Sequence, residues 1–215
     1  MISEIFTANV VWLGLAWAAY LALHSLLAAT AVKAHAAARW PALGRRYRLL
    51  YNLIATVLIL PLVAATEWLD TRPLWSWDGT WAWVSNTLGA LALAGIVWSS
   101  RAYDLREFLG VGAQRPLQVL GLSAAHRFVR HPWYFLGLVW LWTRDMDGAR
   151  LMAAAVITVY VVIGSCLEDR KLEQTHGEPY RRYRRQVPGL LPRPWRYLSR
   201  DEYDRLRRAG AGEDS

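Results

Sequence analysis

The sequence predicts an all-α, polytopic membrane protein with five transmembrane helices and a cytoplasmic C-terminal helical segment. Three observations predict it. Hydrophobic residues make up 54% of 215, with 13 Trp, against only 20% charged residues. The charges are absent from long stretches that match the roughly 20 residues a helix needs to cross a bilayer. Lys and Arg also collect in alternate connecting segments, the bias that sets orientation in a membrane. The composition excludes a disordered chain and a disulfide scaffold. The one cysteine, Cys166, excludes an internal disulfide and a Cys-based zinc cluster, and the five His suggest no metal site by spacing. The length fits a single domain over 1–209, with 210–215 as a disordered tail.

The first span lies in the 28 uncharged residues from Ile5 to Val32. That run exceeds the apolar core of a cleavable signal peptide, and its first charge is the acid Glu4. Leu49 to Thr66 gives 18 uncharged residues and Gly79 to Ser100 gives 22, the second and third spans. The fourth, His131 to Thr143, has 13 residues, about 20 Å of helix against a core of roughly 30 Å. It must extend through Arg130, tilt, or border a wet cavity. The fifth, Leu151 to Leu167, follows the tight polar turn 144–150.

Basic residues follow the first, third and fifth spans, with 12 Lys and Arg after the fifth. The alternate loops hold only Arg72, Arg144 and Arg150. The N-terminus is therefore expected outside and the C-terminus in the cytoplasm, as in a bacterial inner membrane. Trp68, Trp75, Trp77, Trp81 and Trp83 form an aromatic belt at the outer interface. The net charge of +8 follows from the cytoplasmic bias and points to anionic lipid headgroups rather than nucleic acid.

After the last span, Glu168 to His176 continues the helix into water. Gly177 ends it and Pro179 suits the first turn of the next. Tyr180, Tyr183 and Val187 share one face of that next helix, and Arg181, Arg182, Arg184 and Arg185 the other. Such an amphipathic helix can cover a pocket or lie on the membrane. Ser199 with Glu202 forms a capping box for a final helix.

Taken in order, Arg130-His131-Pro132-x-Tyr134, Glu168-Asp169-x-x-Leu172, Gly177-x-x-Tyr180-x-x-Tyr183 and Val187-Pro188 resemble the isoprenylcysteine carboxyl methyltransferase superfamily of integral membrane methyltransferases. The resemblance covers about 96–194. It implies S-adenosyl-L-methionine on the cytoplasmic side of the last two spans, with the C-terminal segment over the cofactor pocket. Gln118, Val119, Leu120, Gly121, His126, His131, Pro132, Trp133 and Tyr134 match its cofactor-contacting segments. Glu168 matches its acidic cofactor ligand, and Tyr180 is counted with the cofactor site. Prenylcysteine-methylating members carry an Arg four residues before that Glu, where this chain has Gly164. His24-Ser25-x-x-Ala28, Lys33, Tyr47, Tyr103-Asp104-Leu105, Gln114 and Asp145-Met146-x-Gly148 through Tyr160-x-x-x-Gly164 are similar to the branch of bacterial methanethiol S-methyltransferases. The acceptor implied is a small thiol such as methanethiol or sulfide. Alternatives are a prenylcysteine carboxylate, a phospholipid amine, or a non-catalytic accessory protein of the same fold.

Methyl transfer from a sulfonium is an in-line displacement that needs alignment and a dry pocket. Glu168 suits the amino group or ribose of the donor, and Arg130 and His131 suit its carboxylate. His24 admits two readings, a hydrogen-bonded structural residue of the first span or a base that orients the acceptor. Asp104 is either paired on its helix surface with Arg101 or part of the active site. His24, Asp104 and Arg130 are the candidate catalytic residues. No metal is implied.

Overall fold

The computed structural model describes residues 5, 7–101 and 122–211. The expected site residues Asp104, Gln118, Val119, Leu120 and Gly121 lie outside the described residues, as do Tyr103 and Gln114. The chain divides into two compact units built from interleaved segments. The first comprises Met1–Asp78, Leu105–Gln114 and Asp145–Tyr160; the second comprises Gly79–Asp104, Arg115–Arg144 and Val161–Ser215.

In the first unit, helix α1 runs Ala8–Ala28, capped by the Thr7 side chain. It stops at Ala29, whose extended backbone separates it from α2, Thr30–Arg39. The single uncharged run is therefore not one continuous helix. Helix α3, Pro41–Trp68, starts with Pro at its first position, where no amide partner is needed, and contains the second apolar stretch. The core joins α1, α3 and the start of α6 (Gly148–His176) through Leu13, Trp17, Ala149 and Ala153, with Leu62 and Ile157 packed against them. The Trp17 indole donates to Thr66 Oγ1 at 3.0 Å, so the one polar edge of the ring is satisfied inside an apolar core.

A two-stranded antiparallel ribbon joins two connecting segments of this unit, β1 (Pro73–Trp75) and β2 (Met146–Asp147). It modifies the all-α expectation. Arg150 binds Asp147 at 2.9 Å and Glu67 at 2.6 Å beside it, and Asp145 accepts from the Trp77 amide at 2.9 Å.

In the second unit, α4 spans Gly79–Ser100 and pairs with α5, Pro132–Trp142. Small residues of α4 permit the approach. A Cβ at Gly95 would sit 3.0 Å from Leu136, and Ser99 accepts from the Trp133 indole at 2.9 Å. A 3₁₀ turn, Ala124–Arg127, precedes α5. Residues 161–176 of α6, then α7 (Glu178–Gln186) and α8 (Arg200–Ala211), complete the unit. Gly177 joins α6 to α7 with φ +60°, a conformation open to glycine. Tyr180, Tyr183 and Val187 are buried with Leu122, Leu198 and Tyr203. The apolar face of α7 is therefore spent inside the protein and does not lie on a membrane. The Ser199–Glu202 capping box forms as expected, with both oxygens engaged.

Four helices, α1, α3 from Arg46, α4 and α6, are long and apolar enough to cross a membrane. The expected fourth span is α5, which has 11 residues and reaches about 16 Å. The chain is thus mostly helical with four candidate spans among the described residues.

Candidate active site

The second unit gathers charge at the end of an apolar helix. Asp169 lies two residues past the uncharged stretch of α6, on the buried face marked by Ser165 and Leu172. Its Oδ1 accepts from Arg130 Nε at 3.1 Å, His131 Nε2 at 3.0 Å and the Tyr180 hydroxyl at 2.6 Å. Its Oδ2 accepts from Arg130 Nη2 at 2.5 Å, which makes the arginine contact bidentate. A carboxylate with only 6% of its side chain exposed is tolerable only with partners of this kind.

Arg130 commits four of its five guanidinium N–H groups within the protein. Beyond Asp169, its Nη1 donates to the carbonyls of Arg184 and Val187. Its own amide donates to Pro188 O at 2.9 Å, and the His131 amide donates to Gly189 O at 3.1 Å. The guanidinium therefore ties the start of α5, the end of α6 and the segment after α7 into one knot.

His131 precedes α5 and is buried between two carboxylates. Nε2 faces Asp169, and Nδ1 lies 3.5 Å from Glu168 Oε2. Burial works against the charged ring, but the hydrogen bonds and charges of Asp169 and Glu168 outweigh it and raise its pKa above the ordinary value. Tyr134 stacks on the ring, with centroids 5.5 Å apart. His126 behaves oppositely. Its Nδ1 accepts from the Ser123 amide at 3.0 Å. Burial, reinforced by the nearby His131, pushes its pKa down to about 4. Tyr180 is held protonated, its pKa raised by burial and by the hydrogen bond to Asp169.

Glu168 is the neighbour that turns outward. Its side chain is 46% exposed, held on one edge by His131 and bonded by Tyr134. This is an oriented carboxylate able to accept from a ligand ammonium or hydroxyl pair. No group of three or more His, Cys, Asp and Glu that could hold a metal occurs among the described residues.

The structure thus brings together Arg130, His131, Pro132, Tyr134, Glu168 and Tyr180, with His126 in the same unit. Trp133 is committed to Ser99 in the helix pair. His24 belongs to the first unit. Its Nε2 lies 2.7 Å from the Tyr51 hydroxyl in an aromatic row with Trp17 and Tyr20. Ser25 and Tyr160 share a hydrogen bond of 3.0 Å alongside. Asp169 is the residue that sequence reasoning passed over as a functional group. The available signal was its spacing of four from Ser165 and three from Leu172, which places it on the inner face of α6.

No protein-family model matches the chain, and no solved structure matches it. Curated proteins similar to it are methanethiol S-methyltransferases. A methanethiol S-methyltransferase of Crocosphaera subtropica is 43% identical over 70 residues, covering 32% of this chain and 28% of that one. One from Mycobacterium tuberculosis is 30% identical over 164 residues, covering 68% and 64%. One from Pseudomonas deceptionensis is 40% identical over 162 residues, covering 67% and 59%. The chain therefore spans less than two thirds of the length of these relatives.

Proposed function

We propose that this chain is an integral membrane methyltransferase that moves a methyl group from S-adenosyl-L-methionine to a small thiol such as methanethiol or sulfide. The observation that carries the reading is Glu168, an outward carboxylate oriented by a buried, doubly partnered histidine at the end of an apolar helix. The name shared by the relatives, methanethiol S-methyltransferase, supports the reaction class and the acceptor.

The residues divide the work. Glu168 binds the cationic amino group or the ribose hydroxyls of the donor. His131 fixes the angle of Glu168, and Tyr134 forms the adjoining wall. Arg130 acts as a positioning residue, because four of its five N–H groups are directed at Asp169, Arg184 and Val187. His126, neutral at physiological pH, and residues 118–121 complete the donor site in this reading. When bound, the donor supplies an electrophilic methyl on a sulfonium, and a thiolate needs little activation to take it. His24, paired with Tyr51, is the candidate proton acceptor or orienter for the thiol, and Asp104 is a further candidate catalytic residue. The short α5 makes the fourth of five crossings, the N-terminus faces outward, and the Glu168 site opens on the cytoplasmic side of a bacterial inner membrane.

Calorimetric titration of S-adenosylmethionine and S-adenosylhomocysteine into detergent-purified protein tests the donor site. Binding is expected, and is expected to be lost in Glu168→Ala. Headspace detection of dimethyl sulfide from methanethiol tests the acceptor. A folded wild type that binds neither nucleoside overturns the proposal. Binding accompanied by methylation of a phospholipid amine or a prenylcysteine, and of no thiol, moves the acceptor.

A further inference from the structure

The sequence leaves α7 able to cover a pocket or to lie on a membrane, and the structure buries its apolar face. The segment that follows does the reverse. Residues 188–198 are pinned at both ends. Pro188 and Gly189 accept from the Arg130 and His131 amides at 2.9 and 3.1 Å. Leu198 exchanges bonds with Arg127, its amide donating to the Arg127 carbonyl at 3.0 Å and its carbonyl accepting from Arg127 Nε at 3.1 Å. The Arg196 guanidinium donates to the carbonyls of Arg184 and Arg185. Between these anchors a tight turn, closed by Arg196 N to Arg193 O at 2.9 Å, carries two prolines. It holds Leu191 at 68% and Trp195 at 77% exposure. Tyr197 stacks on the exposed Phe128 beside them, and Arg127 lies over Phe128 at 5.5 Å.

Leu191 and Trp195 beside the stacked Phe128 and Tyr197 leave an exposed apolar patch on one fixed turn. The residue that binds Gly189 O is His131, immediately before Pro132, where the apolar helix α5 begins. The turn is thus fixed beside the first residues of α5, the short apolar helix taken as a crossing in the proposed function. Trp, Tyr and Arg together are the side chains suited to a membrane interface. Arg193 and Arg200 flank the turn, exposed and with no ion pair among the described residues. They give it positive charge with no internal use.

We propose that the 190–197 turn is an interfacial anchor that inserts Leu191 and Trp195 into the headgroup–acyl boundary of an anionic leaflet, with Arg193 and Arg200 on phosphate. It rests on the reading of α5 as a crossing and stands independently of methyl transfer.

The test uses the full chain in vesicles. Cys166 is replaced by Ala, and a nitroxide is attached after Leu191→Cys, Trp195→Cys or, as a solvent-exposed reference, Arg182→Cys. Collision with oxygen and with a water-soluble nickel chelate is then measured. At 191 and 195 the nickel collision rate is expected to be several-fold lower than at 182, with oxygen access retained. Adding phosphatidylglycerol to phosphatidylcholine vesicles should deepen both labels, and Arg193→Gln with Arg200→Gln should remove that response. In unlabelled protein, quenching by brominated lipid should fall in Trp195→Phe, a check that needs no cysteine variant. Nickel access at 191 and 195 equal to that at 182 would overturn the proposal. Shielding from both reagents would also overturn it, because protein rather than lipid would then cover the turn. A depth independent of phosphatidylglycerol would overturn the anionic assignment.

Discussion

Removing the Asp169 carboxylate should cost more than any other single side-chain truncation in the second unit. In Asp169→Ala, the Arg130 guanidinium, 10% exposed, loses a bidentate partner, and His131 and Tyr180 lose their acceptor. Breaking a buried pair by deleting one member costs about 3–5 kcal/mol, because the surviving charge stays buried. The hydrogen bonds of His131 and Tyr180 belong to the same network, so their loss is contained in that figure rather than added to it. For a chain of this size, about 2–4 °C of melting temperature accompany each kcal/mol, which gives a fall of about 6–20 °C. The assay is tryptophan fluorescence against temperature in one detergent, with Glu168→Ala as the adjacent control. Glu168 is half-exposed, so its removal should cost under about 1 kcal/mol. The double substitution Arg130→Met with Asp169→Leu should recover part of the loss, since an apolar pair leaves no orphan charge. A shift below about 2 °C in Asp169→Ala, or a double variant no better than Asp169→Leu alone, would refute the reasoning.

Stability should depend on pH through two histidines of opposite sign. The folded pKa of His131 is raised, so its contribution is complete below about 6.5 and is lost as pH rises through the folded value. The folded pKa of His126 is lowered to about 4, so stability falls as pH drops from about 6.5 toward 4. Melting temperature against pH should peak near 6.5; His131→Gln should flatten the alkaline limb, and His126→Gln should reduce the slope of the acid limb. Glu168→Gln should weaken S-adenosylmethionine by about 10–150-fold in calorimetry, the worth of one charge-assisted bond, while the melting temperature barely moves. Gly148→Ala should destabilise measurably, because its Cβ would sit 2.9 Å from the Ile5 carbonyl, a backbone atom. Gly14→Ala should be milder, because only the flexible end of Met152 must move.

Much of this was readable from the residues. The uncharged run Gly79–Ser100 gave helix α4 to the residue, since charge exclusion and helix length coincide there. The alternation of Tyr180, Tyr183 and Val187 with arginines identified the buried face of α7, and Ser199 with Glu202 marked the start of α8. The break at Ala29 was not readable, because absence of charge says nothing about backbone continuity and no Gly or Pro marks it. Nor was the ribbon, whose strands come from distant segments and pair only through tertiary approach. Glu168 and Asp169 were visible as a pair of acids. Which of them turns inward depends on a rotation of about 100° per residue about the α6 axis, and that is fixed by what α6 packs against. Arg130 looked free to donate to an anion because the carbonyls of Arg184 and Val187 lie far along the chain.

The knot around Asp169 also imposes an order on synthesis. Arg130 and His131 leave the ribosome before Asp169, but Tyr180, the carbonyls of Arg184 and Val187, and the Leu198 strand-like tie to Arg127 come afterward. By then every apolar helix among the described residues has already been made. At about 5–20 residues per second, the nascent protein spends a few seconds inserted yet incomplete, with its charged cluster half assembled. A chain arrested in that interval carries an Arg130 without its carbonyl partners and a bare face where Tyr183 belongs. Unpaired buried charge and uncovered apolar surface favour degradation, so premature stops between Glu173 and Tyr183 should yield little protein rather than a truncated one.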